Sequence, residues 1–236
     1  MKASTKVTER FGVRITLFAL ALTLVAVPFG LLLEQVTRKG PLVRLDTWAA
    51  NHLHEIVRHS RLVVDVLQAI TFLGKPPFLA LLCIVTCAFL FHRHRYHLVA
   101  FLLTSVIVGG LIDTWVKLAV SRERPSLDHP VATAFGKSFP SGHAMSSTIA
   151  YGALLLILLP LIPVARRRLA IIATVVWLLI IGFTRLALGV HYISDVLGGY
   201  ALGAAWLTLT TAAFEIWREE RGLRRTAPLE EGVGTV

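Results

Sequence analysis

Charge is scarce in this chain: Asp, Glu, Lys and Arg make up 16% of its 236 residues, against roughly 25% in a soluble domain. So few polar groups cannot coat a water-soluble globule of this size. A hydrophobic content of 55% and a mean hydropathy of +0.69 point the same way. Two cysteines exclude a disulfide scaffold, and the high apolar content excludes disorder. Acidic residues are also few, 14 against 24 Lys and Arg. A net charge of +10 can signal nucleic acid, but here the cations sit at the ends of apolar blocks, where membrane topology places them. The apolar residues come in long runs rather than at a 3.6- or 2.0-residue period. The chain therefore reads as an all-α, polytopic membrane protein with the lipid bilayer, and no nucleic acid, as its partner.

A hydrocarbon core of about 30 Å takes about 20 apolar helical residues, with some latitude for tilt. The runs predict six spans: Ile15–Leu33, Phe78–Phe91, Leu98–Ala119, Ala144–Val164, Leu169–Thr184 and Val196–Ile216. A cleavable signal peptide competes for the first. The length of the block and the lack of a small-x-small site beyond it weigh against that reading. Between the first two spans, Leu45, Trp48, His52, Leu53, Ile56 and Val57 predict a short helix on the membrane surface. Leu62–Leu73 predicts another, ending at Gly74-Lys75-Pro76-Pro77.

Basic clusters orient the spans. Lys2, Lys6, Arg10 and Arg14 precede the first, Arg93 and Arg95 follow the second, Arg166–Arg168 follow the fourth, and Arg218, Arg221, Arg224 and Arg225 follow the sixth. With six spans all four clusters share one face, expected to be cytoplasmic together with both termini. The loops at 34–77, 120–143 and 185–195 then lie outside. The expected organisation is one membrane domain over residues 1–217 and a solvated cytoplasmic tail over 218–236.

Several features suit a structural role. His92-Arg93-His94-Arg95-Tyr96-His97 reads as a topogenic anchor, and Cys83 and Cys87 as packing residues within a span. Gly199 and Gly203 suit close helix approach within the chain, and Asp113 could neutralise Lys117 one turn on. Arg122, Glu123, Asp128 and Lys137 read mainly as loop residues.

Two outside loops carry polar residues that topology does not explain. One reads Lys117-Leu-Ala-Val-Ser-Arg-Glu-Arg124-Pro125, continuing to Pro140-Ser141-Gly142-His143; the other reads Thr184-Arg185, then His191 to Asp195. Lys117 and Arg185 sit at or within spans on the face where cations are disfavoured, and intramembrane cations are costly without a partner or a task. Three converging cations would hold a strongly anionic group. Pro140–His143 enters the fourth span, where free N–H groups and the positive end of the helix dipole favour phosphate. His191 and Asp195 are four apart, on one helical face if the sixth helix begins that early. A carboxylate holding one imidazole nitrogen makes the other a better nucleophile or base.

Lys-x6-Arg-Pro (Lys117 to Pro125), Pro-Ser-Gly-His (140–143) and Arg-x5-His-x3-Asp (Arg185, His191, Asp195) resemble the three motifs of the type 2 phosphatidic acid phosphatase family. That family includes lipid phosphate phosphatases and is related to vanadium-dependent haloperoxidases. The resemblance covers about residues 10–217. Thr184 stands where the family often has Ser, with a hydroxyl retained. The resemblance implies that His191 attacks phosphorus to form a phosphohistidine and that Asp195 orients it. It implies that His143 protonates the leaving oxygen and then activates water. Lys117, Arg124 and Arg185, with N–H groups near Ser141 and Gly142, would hold the phosphoryl oxygens.

Phosphate-monoester hydrolysis can require acceleration approaching about 10²¹-fold, about 28 kcal/mol. A proton shuttle offers only about 10²–10⁴-fold, so placed cations must carry most of the load. No metal or other cofactor is expected, because three fixed cations take that part. The implied activity is hydrolysis of lipid mono- or diphosphates at the outer face of the plasma membrane. Candidate substrates are undecaprenyl or another polyprenyl diphosphate, phosphatidylglycerol phosphate, phosphatidic acid and diacylglycerol diphosphate, with a lean to polyprenyl diphosphate. A phosphotransferase passing the phosphoryl group to a lipid acceptor is the rival enzyme. A lipid-phosphate transporter or flippase is the rival of another class. Oligomeric state is not legible.

Overall fold

In this computed structural model, residues 2–220 are described, with side chains described from Ala19 to Arg218 apart from Ala21. The cations Lys2, Lys6, Arg10 and Arg14, and the tail from Arg221 onward, thus fall outside the described side chains. Eight α-helices follow in chain order: α1 Lys2–Thr37, α2 Pro41–Arg58, α3 Arg61–Phe72, α4 Pro76–His92, α5 Tyr96–Val120, α6 Gly142–Leu158, α7 Val164–Ala187 and α8 Ile193–Glu220. Among the described residues there is no strand. Five helical stretches among the described residues are long and apolar enough to cross a membrane: Arg61–His92 (α3 with α4), α5, Gly142–Leu161, α7 and Ile193–Arg218. In α1 a shorter apolar stretch covers Leu22–Thr37.

Local chemistry sets the boundaries. Pro41 and Pro76 open α2 and α4, where a missing N–H costs nothing. Ser60 caps α3 by accepting from the Val63 N–H at 3.4 Å. One boundary departs from the expected spans. Pro160 and Pro163 cannot continue a helix, so α6 passes into a 3₁₀ turn at Leu159–Leu161 and α7 starts at Val164. Arg166–Arg168, expected in a loop, therefore lie in the first turns of α7.

The hub is α6, which packs against α4, α5, α7 and α8, while α1 packs along α8. In lipid, helices associate by close packing and small residues, because the tails are as apolar as leucine. Gly199 and Gly203 permit that approach: a Cβ on Gly199 would lie 2.6 Å from the Ser141 carbonyl, and one on Gly203 3.0 Å from that of Met145. These glycines thus serve packing within the chain. Cys83 also packs, joining Leu79, Leu102, Ala153 and Ile157 in the core between α4, α5 and α6. Large apolar side chains such as Ile84, Phe89, Ile107, Leu169 and Leu179 cover the outer surface instead.

From α5 to α8 successive helices run in opposite directions, so the C-terminal ends of α5 and α7 meet the N-terminal ends of α6 and α8. Lys117 and Arg185 occupy the last turns of α5 and α7; Gly142 and His143 open α6, and Asp195 is in the first turn of α8. The helix α2 packs over this end against α7 and α8. It buries Asp46, Ala49, Ala50, His54 and Val57, leaving Leu45, Trp48 and Ile56 exposed.

Candidate active site

His191 lies just before α8, which starts at Ile193, so the helix does not begin early enough for His191 and Asp195 to share a helical face. The two still meet: His191 Nδ1 is 3.3 Å from Asp195 Oδ2, and both residues are buried. Turn geometry replaces helical register here, because the Tyr192 N–H also donates to Asp195 Oδ2 at 2.9 Å. Ser138 Oγ donates to the same oxygen. On the other side of the ring, His191 Nε2 is 3.0 Å from Arg124 Nη1. A guanidinium can only donate, so it selects the tautomer with the lone pair on Nε2 and the proton on Nδ1, facing Asp195. Burial, with Arg124 and Arg185 nearby, pushes the His191 imidazole down to about 4 against the opposing pull of Asp195.

The three cations are held differently. Lys117 donates to Asp113 Oδ1 and to the Pro140 carbonyl, both at 2.6 Å, so the expected i,i+4 pair forms and ties the end of α5 to the start of α6. Arg124 grips the carbonyls of Gly136 and Phe135, each at 3.0 Å, and Val190 at 2.7 Å. Arg185 donates from Nη1 to Thr71 Oγ1 at 2.9 Å. Asp113 offsets Lys117, but the partners of Arg124 and Arg185 are neutral groups, which leaves their charge for an anion.

Buried polar atoms normally find partners. Here His143 Nε2, Ser141 Oγ and Arg185 Nε have none, and all three lie at the end where α6 begins. The Ser141 N–H is already used, donating to the Asp195 carbonyl at 2.8 Å. It therefore does not point to a ligand as expected, and the Gly142 N–H next along lies at the start of α6. Among the described residues no group of three or more His, Cys, Asp or Glu is arranged to hold a metal ion.

Sequence reasoning undervalued Arg122. It is no idle loop residue: Nη1 donates to Asp195 Oδ1 at 2.6 Å and to Ser194 Oγ at 2.7 Å, and Nη2 donates to Asp46 Oδ2 at 2.8 Å. Asp46 also takes the Ser194 N–H at 3.0 Å. One guanidinium thus joins α2 to the carboxylate that positions His191. Nearby, the Asp128 carbonyl accepts from His54 Nε2 at 2.9 Å and ties the same loop to α2. Arg122 lies five residues after Lys117, at the end of the bundle that also holds Arg185, and that nearness was the signal available in the sequence. Asp46 and Thr71, dozens of residues from their partners, left no such trace. Replacing Arg122 by alanine strands two fully buried carboxylates, and loss of one partner of a buried ion pair costs about 3–5 kcal/mol. A matching fall in unfolding free energy on denaturant titration of the purified variant is expected. An unchanged midpoint would deny the network its structural weight.

A family profile described as the PAP2 superfamily matches residues 98–219. Lipid A 1-phosphatase of Rhizobium etli is 40% identical over 123 residues, 48% of this chain and 48% of that protein. Phosphatidylglycerophosphatase B of Bacillus subtilis is 33% identical over 146 residues, 59% of this chain and 69% of that one. The chain thus spans about half the length of the first of these relatives. Among solved structures, the transmembrane PAP2 type phosphatidylglycerolphosphate phosphatase from Bacillus subtilis superposes with a TM-score of 0.75 at 24% identity, over 87% of this chain and 98% of that one.

Proposed function

The chain belongs to the PAP2 superfamily, and from that footing we propose that it is a membrane lipid phosphatase working through a phosphohistidine. The observation that carries the reading is His191, with Nδ1 held by Asp195 and Nε2 turned to Arg124. An oxygen that accepts from Arg124 brings its phosphorus beside the Nε2 lone pair. His191 Nε2 then forms the bond to phosphorus while the bond to the leaving oxygen breaks, and that oxygen takes a proton from His143. In the second displacement His143 draws the proton from water, the oxygen attacks phosphorus, and the P–N bond breaks. Inorganic phosphate leaves and His191 is restored.

Lys117, Arg124 and Arg185 hold the three phosphoryl oxygens throughout, with the N–H of Gly142 and the hydroxyl of Ser141 at the start of α6. Fixed cations in a poorly hydrated site offer a larger electrostatic gain than they would in water. In this scheme they make a metal unnecessary. Residues 1–217 form the membrane domain of six spans, both termini are cytoplasmic, and the site faces outward; the basic clusters support that orientation. Lipid mono- or diphosphates are the substrate class, with polyprenyl diphosphate favoured. The test is phosphate release by purified protein, with and without chelator, from the four candidate lipids and from lipid A 1-phosphate, which the name of one relative adds. Release from at least one lipid, undiminished by chelator, is expected. Loss restored by magnesium would argue for different chemistry, and a phosphorylated acceptor without free phosphate would argue for transfer.

The site also dictates a pH dependence. His191 must be neutral to attack, and with its pKa held at about 4 it is about 90% neutral at pH 5, where an ordinary histidine at 6.5 is about 3% neutral. The acid limb of kcat/KM due to His191 is therefore expected well below pH 6. Arg124 is one of the groups that hold the value down, so Arg124→Gln should move that limb towards neutral pH as well as slow the reaction. A pH–rate profile of the two proteins checks this; a limb that stays in place contradicts the assigned pairing.

A further inference from the structure

The turn between α3 and α4 forms a wall of the site. Tyr151 Oη on α6 donates to the Leu73 carbonyl at 2.8 Å and pins the turn. A Cβ on Gly74 would lie 2.6 Å from Ile181 Cγ2, 3.1 Å from Ser147 Oγ and 3.4 Å from His143 Cδ2. No side chain fits there, and the backbone lies directly against the His143 ring. The next residue is Lys75. With Gln68, Thr71, Thr133, Arg185 and Leu188 it lines a cavity of about 390 Å³ whose lining includes no carboxylate. Arg185, 6% exposed, brings a guanidinium whose Nε has no partner, and Thr71 brings the hydroxyl that Arg185 Nη1 bonds. The Lys75 ammonium is 5.5 Å from the centre of the Phe72 ring.

We infer that Lys75, with Arg185 and Thr71, forms a second anion subsite that receives the leaving phosphate of a lipid diphosphate. The inference rests on the phosphatase reading above and narrows its substrate class. In an in-line displacement the leaving group departs opposite His191, towards the acid that protonates it. That acid is His143, and its ring lies against the turn that carries Lys75. As His191 Nε2 bonds to the terminal phosphorus, the bond from that phosphorus to the bridging oxygen breaks and its electron pair stays on the bridging oxygen. The departing group is a lipid monophosphate, whose charge rises as it leaves. Two cations around a carboxylate-free cavity meet that charge, whereas a phosphatidic acid leaves as an uncharged glycerolipid alcohol and gains nothing from them.

Two measurements test the subsite. In the first, kcat/KM is determined for farnesyl diphosphate and for dioleoyl phosphatidic acid in detergent micelles, with the natural chain, Lys75→Met and Lys75→Arg. The ratio of diphosphate to phosphatidic acid is expected to fall 10- to 100-fold in Lys75→Met, the size of a lost hydrogen bond to a charged group, and to recover largely in Lys75→Arg. An equal loss on both substrates, or no change in the ratio, overturns the subsite. In the second, His191→Ala protein with and without Lys75→Met is titrated with farnesyl diphosphate and farnesyl monophosphate. Tighter diphosphate binding that vanishes with Lys75 supports the subsite, and equal affinity for the two ligands overturns it. Should the natural chain release phosphate from no lipid, the phosphatase reading fails, and the titration still decides whether a second phosphate is recognised.

Discussion

Alanine at position 191 is expected to lower kcat for lipid phosphate hydrolysis on the order of 10⁶-fold, the scale seen when a hydrolase loses its nucleophile. The size follows from the division of labour. Lys117, Arg124 and Arg185 remain in the variant and still bind the phosphoryl group, so substrate affinity should survive while turnover does not. His143 alone cannot compensate, because acid–base assistance supplies only about 10²–10⁴-fold. His191 is buried, but its ring bonds few groups, chiefly Asp195 and Arg124, so the fold should tolerate the change. Turnover within a hundredfold of the natural chain would remove His191 from the nucleophile's role.

Asparagine in place of Asp195 should cost about 10⁴-fold in kcat, the scale of the same exchange where an aspartate fixes a catalytic histidine's tautomer. Oδ1 accepts from Arg122, and Oδ2 accepts from the Tyr192 N–H, from Ser138 and from His191 Nδ1. Every neighbour donates, so an amide NH₂ meets a donor whichever way it turns. Turned towards His191, it offers Nδ1 a proton and drives the ring's own proton to Nε2, which removes the lone pair that attacks. Turned towards Arg122, it breaks the link through which Asp46 on α2 supports the site. The measurement is kcat under saturating substrate, together with a titration of substrate binding. A loss smaller than tenfold would mean that Asp195 does not set the tautomer.

Much of this site was legible because its determinants are short. Lys117 and Asp113 lie one helical turn apart, and Arg185 precedes His191 and Asp195 within eleven residues, so spacing alone draws them together. Five of the six expected apolar runs fall within helical stretches long and apolar enough to cross a membrane, because bilayer thickness imposes a length on such runs, while the first meets only the shorter stretch Leu22–Thr37. One boundary departs where local rules compete: prolines at 160 and 163 end α6 before the apolar run ends. What escaped lies across the fold. Asp46 meets Ser194 over a separation of 148 residues, and Thr71 meets Arg185 over 114. Neither separation leaves a periodicity or a motif to detect. The place of Gly74 against His143 likewise depends on how three helices pack, and Gly74-Lys75-Pro76-Pro77 reads in isolation only as a helix stop.

The central claim is a covalent one, and it can be tested by catching the intermediate. Purified protein is mixed with a lipid phosphate or diphosphate carrying a radiolabelled terminal phosphorus, quenched in alkali within the first turnover, digested and mapped. Label that survives base, is released by mild acid and resides on the peptide containing His191 is the predicted result, with none in His191→Ala. Active turnover with no label on protein at any quench time, or label on a different residue, would contradict the account.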